Sequence, residues 1–414
     1  MRVLMVSGFM AAAFSGLGSA HASPPAPGTY DAWLESHGGR VTFTLEIAPG
    51  LDAATVRNGE EVIARAARLT GDSLVIPFDP YGAELRIRAS GTEGELSGEW
   101  VRRRSVDEYT TVAFGAGSHS PRPLTLPNSH PLSERWLVRF DASEPEDAPD
   151  VGVFRLLPDG RVTGTILTTT GDWRYLHGTL ANGSGGRVLE LCSFSGSGST
   201  LIRAAVSEDG RSMMGQSFSG GGAPRAFTAR ADASASLPDP FAITRAVSTP
   251  DLGALRFVDP QSGDWVTLAS FLPAGAKGPM LIHLFGTWCP NSNDAAAMMN
   301  EAFSVYRARG LTVVGLAFEG MRDERLDRER IRSFRDQHAT RYPILLAASD
   351  SDKEKAGALL PFLDHVHAYP TSILIDRRGR AAAIYTGFSG PATGQAHAAM
   401  RAEFFRNVDH VLTD

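Results

Sequence analysis

The sequence predicts a multidomain chain in which an all-β region, folded as a barrel or as sandwich-like sheets, precedes an α/β domain. At 414 residues the chain is longer than one ordinary hydrophobic core requires, so two or three domains are expected. From residue 30 to about residue 233, short alternating apolar runs are separated by Gly, Asp and Pro, which is typical of strands and turns. Beyond a linker, continuous apolar runs alternate with helical patterns, which indicates a central sheet covered by helices.

The composition excludes several classes of function. Hydrophobic residues make up 43% of the chain and charged residues 21%, as in an ordinary globular protein. With a net charge of −6 the chain has no electrostatic reason to bind nucleic acid or anionic lipid, and neither is expected as a partner. After the amino terminus, no polar-free stretch approaches the roughly 20 residues of a membrane-spanning helix, so no membrane span is expected.

Residues 1–22 have the pattern of a signal peptide. One positive charge at Arg2 precedes an apolar run of small residues, and "AHA" at 20–22 forms an A-x-A cleavage pattern before Ser23. No cysteine lies near this site, which excludes a lipid-anchored form. We therefore expect an exported protein of the bacterial periplasm that is soluble after cleavage.

Region 28–233 is expected to consist of strands, with 28–130 and 135–233 as two related halves. In "RVTFTLEI" (40–47) the apolar residues recur at every second position, the period of a half-buried strand. The runs "DSLVIPF" and "AELRIRA" follow at hairpin spacing, and the stretch from residue 135 repeats this style. A strand, an Asp-Gly turn and another strand recur, which favours two all-β halves in one barrel or a pair of sandwiches.

Residues 234–250 are expected to be a linker, because the stretch around them is rich in Ala, Ser and Pro. The α/β domain is expected over 251–414. Its strands are predicted by five apolar runs: "PMLIHLFGT" (279–287), "LTVVGLAFE" (311–319), "YPILLA" (342–347), "TSILID" (371–376) and "AAAIYTG" (381–387). Its helices are predicted by "CPNSNDAAAMMNEAFSVYRARG" (289–310), "DERLDRERIRSFRDQHA" (323–339) and "GQAHAAMRAEFFRNVDHVL" (394–412).

Cys289 lies where the first of these strands meets the first helix, with Pro290 in the first helical turn. The helix dipole and the free backbone N–H groups at such a junction favour a thiolate, so we expect a lowered pKa and a nucleophilic sulfur. The chain has only one other cysteine, Cys192, which excludes a scaffold stapled by several disulfides.

The motifs around Cys289 resemble those of a known family. "LFGTWCPNS" (284–292) matches a strand-to-helix active site, "AYPTSILID" (368–376) matches a cis-proline loop, and "GLTVVGLAFE" (310–319) fits the same branch. Region 251–414 thus resembles the thioredoxin fold, in the TlpA-like branch of exported thiol-disulfide oxidoreductases.

This resemblance implies roles for individual residues. Cys289 corresponds to the attacking cysteine, and Pro370, the expected cis residue, would contact the extended backbone of a bound partner together with Tyr369. Trp288 and Pro290, which flank Cys289, are expected in the same binding surface. The implied partners are exported proteins with cysteines or a small thiol. No cofactor is implied, and no oligomeric state is predicted.

Two more residues lie where the resemblance implies acid-base groups. His283, six residues before Cys289, falls where many thioredoxins hold a buried carboxylate, and it could relay a proton to or from Cys289. The alternative is a core histidine satisfied by hydrogen bonds. Glu319 ends the second buried strand, where TlpA-like proteins often place an acid beside the active site, and the alternative is a strand-end carboxylate in solvent.

Ser292 is the departure from the family pattern, because a second cysteine normally stands at this position. That thiol attacks the mixed disulfide and releases the product, which a serine hydroxyl cannot do. Three routes remain open: outside thiols resolve the mixed disulfide, Cys192 acts as a distant resolving thiol, or catalysis is lost and the fold is retained for binding.

Other candidate sites are weaker. His365 and His367 alternate before the cis-proline loop, but no third ligand is apparent, so no metal site is predicted. Cys192 shares a strand face with Val188 and Glu190, not the more apolar face, and it is expected to be a free structural cysteine.

Two functions are consistent with these patterns. The first is a monothiol-type thiol-disulfide oxidoreductase that forms mixed disulfides, as monothiol reductases and isomerases do. The second is a catalytically degenerate thioredoxin fold that serves, with its β-rich region, as a binding or scaffold module.

Ser292→Cys is expected to restore dithiol chemistry, because the helix geometry is that of a two-cysteine site. Insulin reduction with a protein reductant should be measurable for the variant and not for the native protein. Efficient turnover by the native protein in this assay would contradict the argument from Ser292.

Overall fold

The computed structural model describes residues 23–79, 81–119, 132–141, 148–183, 185–220 and 222–413. The expected signal peptide (1–22) and the expected boundary at residue 130 lie outside these ranges. Three sheets organise the described chain, and we refer to them as the first β unit (28–118), the second β unit (135–231) and the α/β unit (256–413).

The first β unit is a single antiparallel sheet with the strand order β4-β3-β2-β1-β9-β8-β7-β6-β5. Its described strands are β1 (Gly28–Ser36), β2 (Gly39–Ile47), β3 (Ala53–Asn58), β4 (Glu61–Ala66), β5 (Arg68–Thr70), β6 (Ser73–Phe78), β7 (Ala83–Ala89), β8 (Glu95–Arg103) and β9 (Tyr109–Ser118). In β2 the buried side chains are Val41, Phe43, Leu45 and Ile47, as the period of two predicted. The face they share forms the core of this unit.

The second β unit closes on itself, because strand β11 pairs with both β10 and β12. The remaining order is β10-β18-β17-β16-β15-β14-β12-β13, with antiparallel pairing throughout. Its described strands are β10 (Arg135–Phe140), β11 (Asp150–Leu156), β12 (Arg161–Thr168), β13 (Gly171–Asp172), β14 (Leu176–Gly183), β15 (Gly186–Phe194), β16 (Ser199–Val206), β17 (Ser212–Ser219) and β18 (Arg225–Ala231). The predicted all-β, barrel-like region is confirmed.

The two β units share a hydrophobic core. Phe194 at the end of β15 inserts beside Phe43 of the first unit, with ring centroids 4.8 Å apart. Asn58 completes the contact, since its side-chain amide donates to the carbonyl of Tyr175 at 2.8 Å and its oxygen accepts from the Phe194 N–H at 2.8 Å. The end of β15, with Cys192 and Phe194, therefore lies inside the pair of β units.

Cys192 is buried because of this packing. Its strand face, which the pattern did not mark as apolar, lies against β2 of the first unit, where the thiol contacts the Thr42 hydroxyl at 3.4 Å. The thiol is free, and the two cysteines form no disulfide with each other. Burial raises the pKa of the Cys192 thiol, which makes this sulfur a poor nucleophile.

The α/β unit has a thioredoxin-like fold, as predicted. Its described strands are β19 (Arg256–Val258), β20 (Trp265–Thr267), β21 (Met280–Phe285), β22 (Thr312–Phe318), β23 (Ile344–Ala348), β24 (Thr371–Ile375) and β25 (Ala381–Thr386). Strands β21, β22 and β23 are parallel, whereas β24 and β25 continue the sheet in the antiparallel sense. The described helices are α1 (Pro290–Tyr306), α2 (Glu324–Gln337), α3 (Lys353–Leu359) and α4 (Gln395–Thr413).

Two hydrophobic cores cover the two faces of this sheet. Leu281 and Phe285 point to the face that packs against α1, α2 and α4, whereas Ile282 and Leu284 point to the other face. The predicted continuous apolar strands thus have apolar contacts on both sides. Helix α3 was not predicted, although Asp352 accepts hydrogen bonds from two N–H groups of its first turn, a capping signal present in the sequence. Among the described residues, no helix combines the length and apolar character needed to span a membrane.

Cys192 is expected to react with iodoacetamide only after unfolding, because the interface between the β units buries it. In non-reducing peptide mapping of protein from an oxidising compartment, Cys192 and Cys289 should both be found as free thiols once the chain is denatured. The Cys192→Ser variant identifies the peptide, and a Cys192–Cys289 linked peptide as the major species would contradict this prediction.

Candidate functional site

Cys289 is the residue immediately before helix α1 and has an extended backbone, with φ −94° and ψ 120°. Pro290 follows at the first helical position, where its missing N–H leaves no bond unmade. The thiol of Cys289 donates a weak hydrogen bond to the carbonyl oxygen of Tyr369 at 3.5 Å. The sulfur therefore lies between the start of α1 and the loop before β24.

Burial dominates the protonation of Cys289. The side chain is only 8% exposed, and burial raises the pKa of the thiol above its ordinary value. The Ser292 hydroxyl, the N–H groups of Ser292 and Asn291, and the charge of Arg174 all act in the opposite direction, but they do not outweigh burial. The expected lowering of the pKa is wrong for this arrangement, because the loss of solvation on burial outweighs the effect of the helix N-terminus.

Ser292 lies within the first turn of α1 and is fully buried. Its hydroxyl oxygen accepts a hydrogen bond from the Gly286 N–H at 3.4 Å. A serine here supplies polar contacts to the strand-to-helix turn and to the sulfur of Cys289 but contributes no second thiol.

The cis-proline loop lies against this turn. The Tyr369–Pro370 peptide bond is cis, and Tyr369 stacks on Phe318 with ring centroids 5.2 Å apart. Trp288 meets the edge of the Tyr369 ring at 6.1 Å, and its indole N–H donates to the Phe318 carbonyl at 2.9 Å. Trp288, Tyr369 and Pro370 are thus brought together at Cys289, although they are far apart in sequence.

Glu319 is completely buried and not a strand-end carboxylate in solvent. One carboxylate oxygen accepts from the Thr287 N–H at 2.9 Å and the other from the Thr287 hydroxyl at 2.7 Å. Burial raises the pKa of Glu319 to about 7 in spite of these two hydrogen bonds. Glu319 therefore orients the turn two residues before Cys289 and titrates near neutral pH.

His283 is a buried residue of β21 that faces β24. Its Nδ1 lies 3.2 Å from the Ser372 hydroxyl, and its ring stacks on Phe285 at 5.5 Å. Burial lowers the pKa of His283 to about 3, so the imidazole stays neutral at physiological pH. Its other nitrogen, Nε2, is buried without a hydrogen-bond partner in the described part of the chain. The structure therefore pairs His283 with Ser372 and not with Cys289.

The second β unit contributes a residue that sequence reasoning missed. Arg174 reaches the start of α1, where it donates to the Pro290 carbonyl at 3.0 Å and to the Asp294 carboxylate at 2.5 Å. It also forms a short ion pair with Glu61 of the first β unit. Burial opposes its charge, but the Asp294 and Glu61 carboxylates outweigh burial and hold the pKa of Arg174 well above its ordinary value. One guanidinium thus joins all three units beside Cys289.

The segment around Arg174 makes further contacts with the α/β unit. The Asn291 side chain donates to the Asp172 carbonyl at 3.1 Å, and the Gly390 N–H donates to the Asp172 carboxylate at 2.6 Å. The Thr169 hydroxyl lies 3.3 Å from Nε2 of His367. Arg174 itself has φ 56°, a left-handed conformation that costs free energy in any residue with a Cβ. Nothing in "TTTGDWRY" (168–175) marks these residues as part of a site.

In the described ranges, no three His, Cys, Asp or Glu side chains come together as metal ligands. His365 and His367 contact each other edge to face at 5.7 Å, but His365 pairs with Asp364 at 3.0 Å. His365 therefore contacts Asp364 of its own loop, and His367 contacts Thr169 of the second β unit.

Three of the solved structures that are similar to part of this chain are of thiol-disulfide interchange proteins or oxidoreductases. A thioredoxin-family thiol:disulfide interchange protein from Chlorobium tepidum is 22% identical with a TM-score of 0.28, covering 38% of this chain and 92% of that chain. A secreted Mycobacterium tuberculosis disulfide oxidoreductase is 16% identical with a TM-score of 0.26, and the match covers 36% of this chain and 94% of that chain. The thioredoxin domain of a Bacteroides vulgatus thiol-disulfide oxidoreductase is 15% identical with a TM-score of 0.27, and the match covers 37% of this chain and 99% of that chain. No family model matches the chain, and no curated protein does.

Glu319→Gln is expected to flatten the pH dependence of stability. Because burial raises the pKa of Glu319 from 4.5 to about 7, the native state holds this proton more tightly than the unfolded state. The free energy of unfolding should therefore fall as pH rises from about 4.5 to about 7, by up to about 3 kcal/mol. In the glutamine variant the side-chain oxygen can accept from the Thr287 N–H, and the amide N–H can donate to the Thr287 hydroxyl oxygen. Both contacts then persist without an ionisable group, so the variant should lose this slope.

The measurement is the denaturant midpoint between pH 4.5 and 8 for native protein, Glu319→Gln and the exposed control Glu46→Gln. Parallel pH profiles for native protein and Glu319→Gln would contradict the assignment of this slope to Glu319.

Proposed function

We propose that this chain is an exported thiol-disulfide oxidoreductase of monothiol type, in which Cys289 forms mixed disulfides with exported proteins or with a small thiol. The observation that carries the proposal is the position of the sulfur at the start of α1, 3.5 Å from the Tyr369 carbonyl in the cis-proline loop. A sulfur at this place lies next to the backbone of a loop that can align a partner, and it is the one thiol in the described site.

The proposed reaction is an exchange of two sulfur–sulfur bonds. The Cys289 thiolate attacks one sulfur of a partner disulfide, so that a bond from Cys289 to that sulfur forms, the original bond breaks, and the second partner sulfur leaves as a thiolate. Since Ser292 offers no second thiol, an outside thiolate then attacks the mixed disulfide and frees the Cys289 thiolate. The outside thiol ends in a disulfide with the first partner sulfur, and the second partner sulfur has left as a thiolate. The net reaction therefore exchanges one disulfide for another and needs no oxidant or reductant beyond the outside thiol.

The neighbouring residues have supporting roles in this proposal. Trp288, Pro290, Tyr369 and Pro370 form the surface that binds the partner backbone. Glu319 orients the Cys289 turn through Thr287, and its pKa of about 7 lets it exchange a proton near neutral pH. His283 is the less direct candidate for proton transfer, because its hydrogen bond goes to Ser372.

A binding module without turnover is the second candidate, and the burial of Cys289 favours it. A thiol that is 8% exposed and has a raised pKa is mostly protonated at neutral pH, which slows attack on a disulfide. In this case the thioredoxin-like unit would serve with the β units as a scaffold.

Mixed-disulfide trapping with glutathione disulfide separates the two functions. Native protein and Ser292→Ala should form a glutathione adduct at Cys289 that added glutathione releases, whereas Cys289→Ser should form none. Mass spectrometry of the intact chain and of its peptides measures adduct and release, with Cys192→Ser as the control. Equal adduct yields from Cys289→Ser and native protein would remove Cys289 from the mechanism, and an adduct that is never released would favour the binding module.

A further inference from the structure

Residues 168–175 of the second β unit, here called the cover segment, lie across the loops that meet at Cys289. Arg174 and Asp172 contact Pro290 and Asn291, the two residues that follow Cys289. At the other side of the sulfur, Thr169 contacts His367, two residues before Tyr369. The cover segment therefore spans from the start of α1 to the cis-proline loop.

The fit of the cover segment against the α/β unit is close. A Cβ added to Gly171 would come within 2.0 Å of the Asn291 side chain, and one added to Gly387 would come within 2.9 Å of the Thr169 carbonyl oxygen. Gly387 in turn donates its N–H to the carbonyl of Pro370 at 2.9 Å. Because the cover segment lies on both Asn291 and Gly387, a partner chain has no room beside Pro370 while this contact persists.

We propose that the cover segment is a specificity element of the site, one that excludes partner proteins from Cys289 until it moves away, and that Arg174 is the residue that holds it. This inference rests on the proposed function, since it states which condition a partner must meet before exchange. Glu61 and Asp294 are the groups that hold Arg174 in turn.

The nature of the contacts allows the cover segment to separate. The two β units are joined by a shared apolar core, whereas the cover segment meets the α/β unit through hydrogen bonds and ion pairs, which water can replace. A cavity of about 210 Å³ lies beside it, between Leu167, the linker residues 236–243 and Phe388. Incomplete packing there lowers the cost of moving the second β unit relative to the α/β unit.

The test is the rate at which Cys289 is alkylated by iodoacetamide and by a bulky polyethylene-glycol maleimide, followed by peptide mass spectrometry from pH 6 to 10. The positive charge of Arg174 also favours the Cys289 thiolate, so its removal changes the pKa of Cys289 as well as access to the sulfur. The rate reached above the pKa, called the plateau rate, measures how easily the reagent reaches the sulfur, and the midpoint of the pH profile gives the pKa of Cys289. Arg174→Gln should raise the plateau rate about tenfold, and more for the bulky reagent, because the hydrogen bonds to Pro290 and Asp294 are lost.

Two other variants complete the design. Glu61→Gln leaves the α/β unit unchanged and weakens only the anchor of Arg174, so it should raise the plateau rate by a smaller factor. Arg161→Gln, an exposed arginine of the same β unit that pairs with Asp159, should leave it unchanged. If Arg174→Gln does not fold, the plateau rate of Glu61→Gln still tests the proposed role of the cover segment.

An unchanged plateau rate in folded Arg174→Gln and Glu61→Gln would contradict the proposed role of the cover segment, whether or not glutathione adducts form at Cys289. A raised plateau rate together with no glutathione adduct in any variant would support the cover segment and contradict the oxidoreductase. The two proposals therefore fail by different measurements.

Discussion

One buried guanidinium contacts all three units. Arg174 pairs with Glu61 of the first β unit and with Asp294 of α1, and the three side chains are between 11% and 17% exposed. Loss of Arg174 would leave two carboxylates unpaired away from water, and breaking a buried ion pair in this way typically costs about 3–5 kcal/mol. The same guanidinium also donates to the Pro290 carbonyl, so the contact that joins the units lies at the candidate site.

This placement explains why Cys289 behaves differently from an exposed thiol at a helix N-terminus. The helix provides N–H groups that favour a thiolate, but burial removes most of the water that would solvate it. The same competition acts on Glu319, whose carboxylate accepts two hydrogen bonds from Thr287 and still has a raised pKa. In both residues burial outweighs local hydrogen bonding. The pKa of Cys289 therefore depends on burial and on the charge of Arg174 in the second β unit, as well as on the start of helix α1.

The β units also have a structural part in the site. Phe194 and Asn58 join the first unit to the second, and Arg174 and Glu61 pair across the same two units. The α/β unit meets that surface through polar contacts, including the Arg330 guanidinium, which donates to the carbonyls of Tyr81 and Arg103 at 3.2 and 2.9 Å. The β units are thus joined to each other by apolar packing, whereas hydrogen bonds such as these join them to the α/β unit.

The sequence by itself determined the order of five strands and three helices of the α/β unit, the strand-to-helix junction at Cys289, the cis residue Pro370 and the absence of a second thiol at Ser292. These features follow from short-range periodicity and from motifs in which the residues are neighbours along the chain. Only the tertiary structure decided that Cys289, Glu319 and Cys192 are buried, that His283 pairs with Ser372, and that Arg174 reaches α1. Arg174 and Asp294 are 120 residues apart, and Cys192 and Thr42 are 150 apart. The physical reason is that burial and long-range charge pairing are set by how whole units pack, which no local pattern of residues encodes.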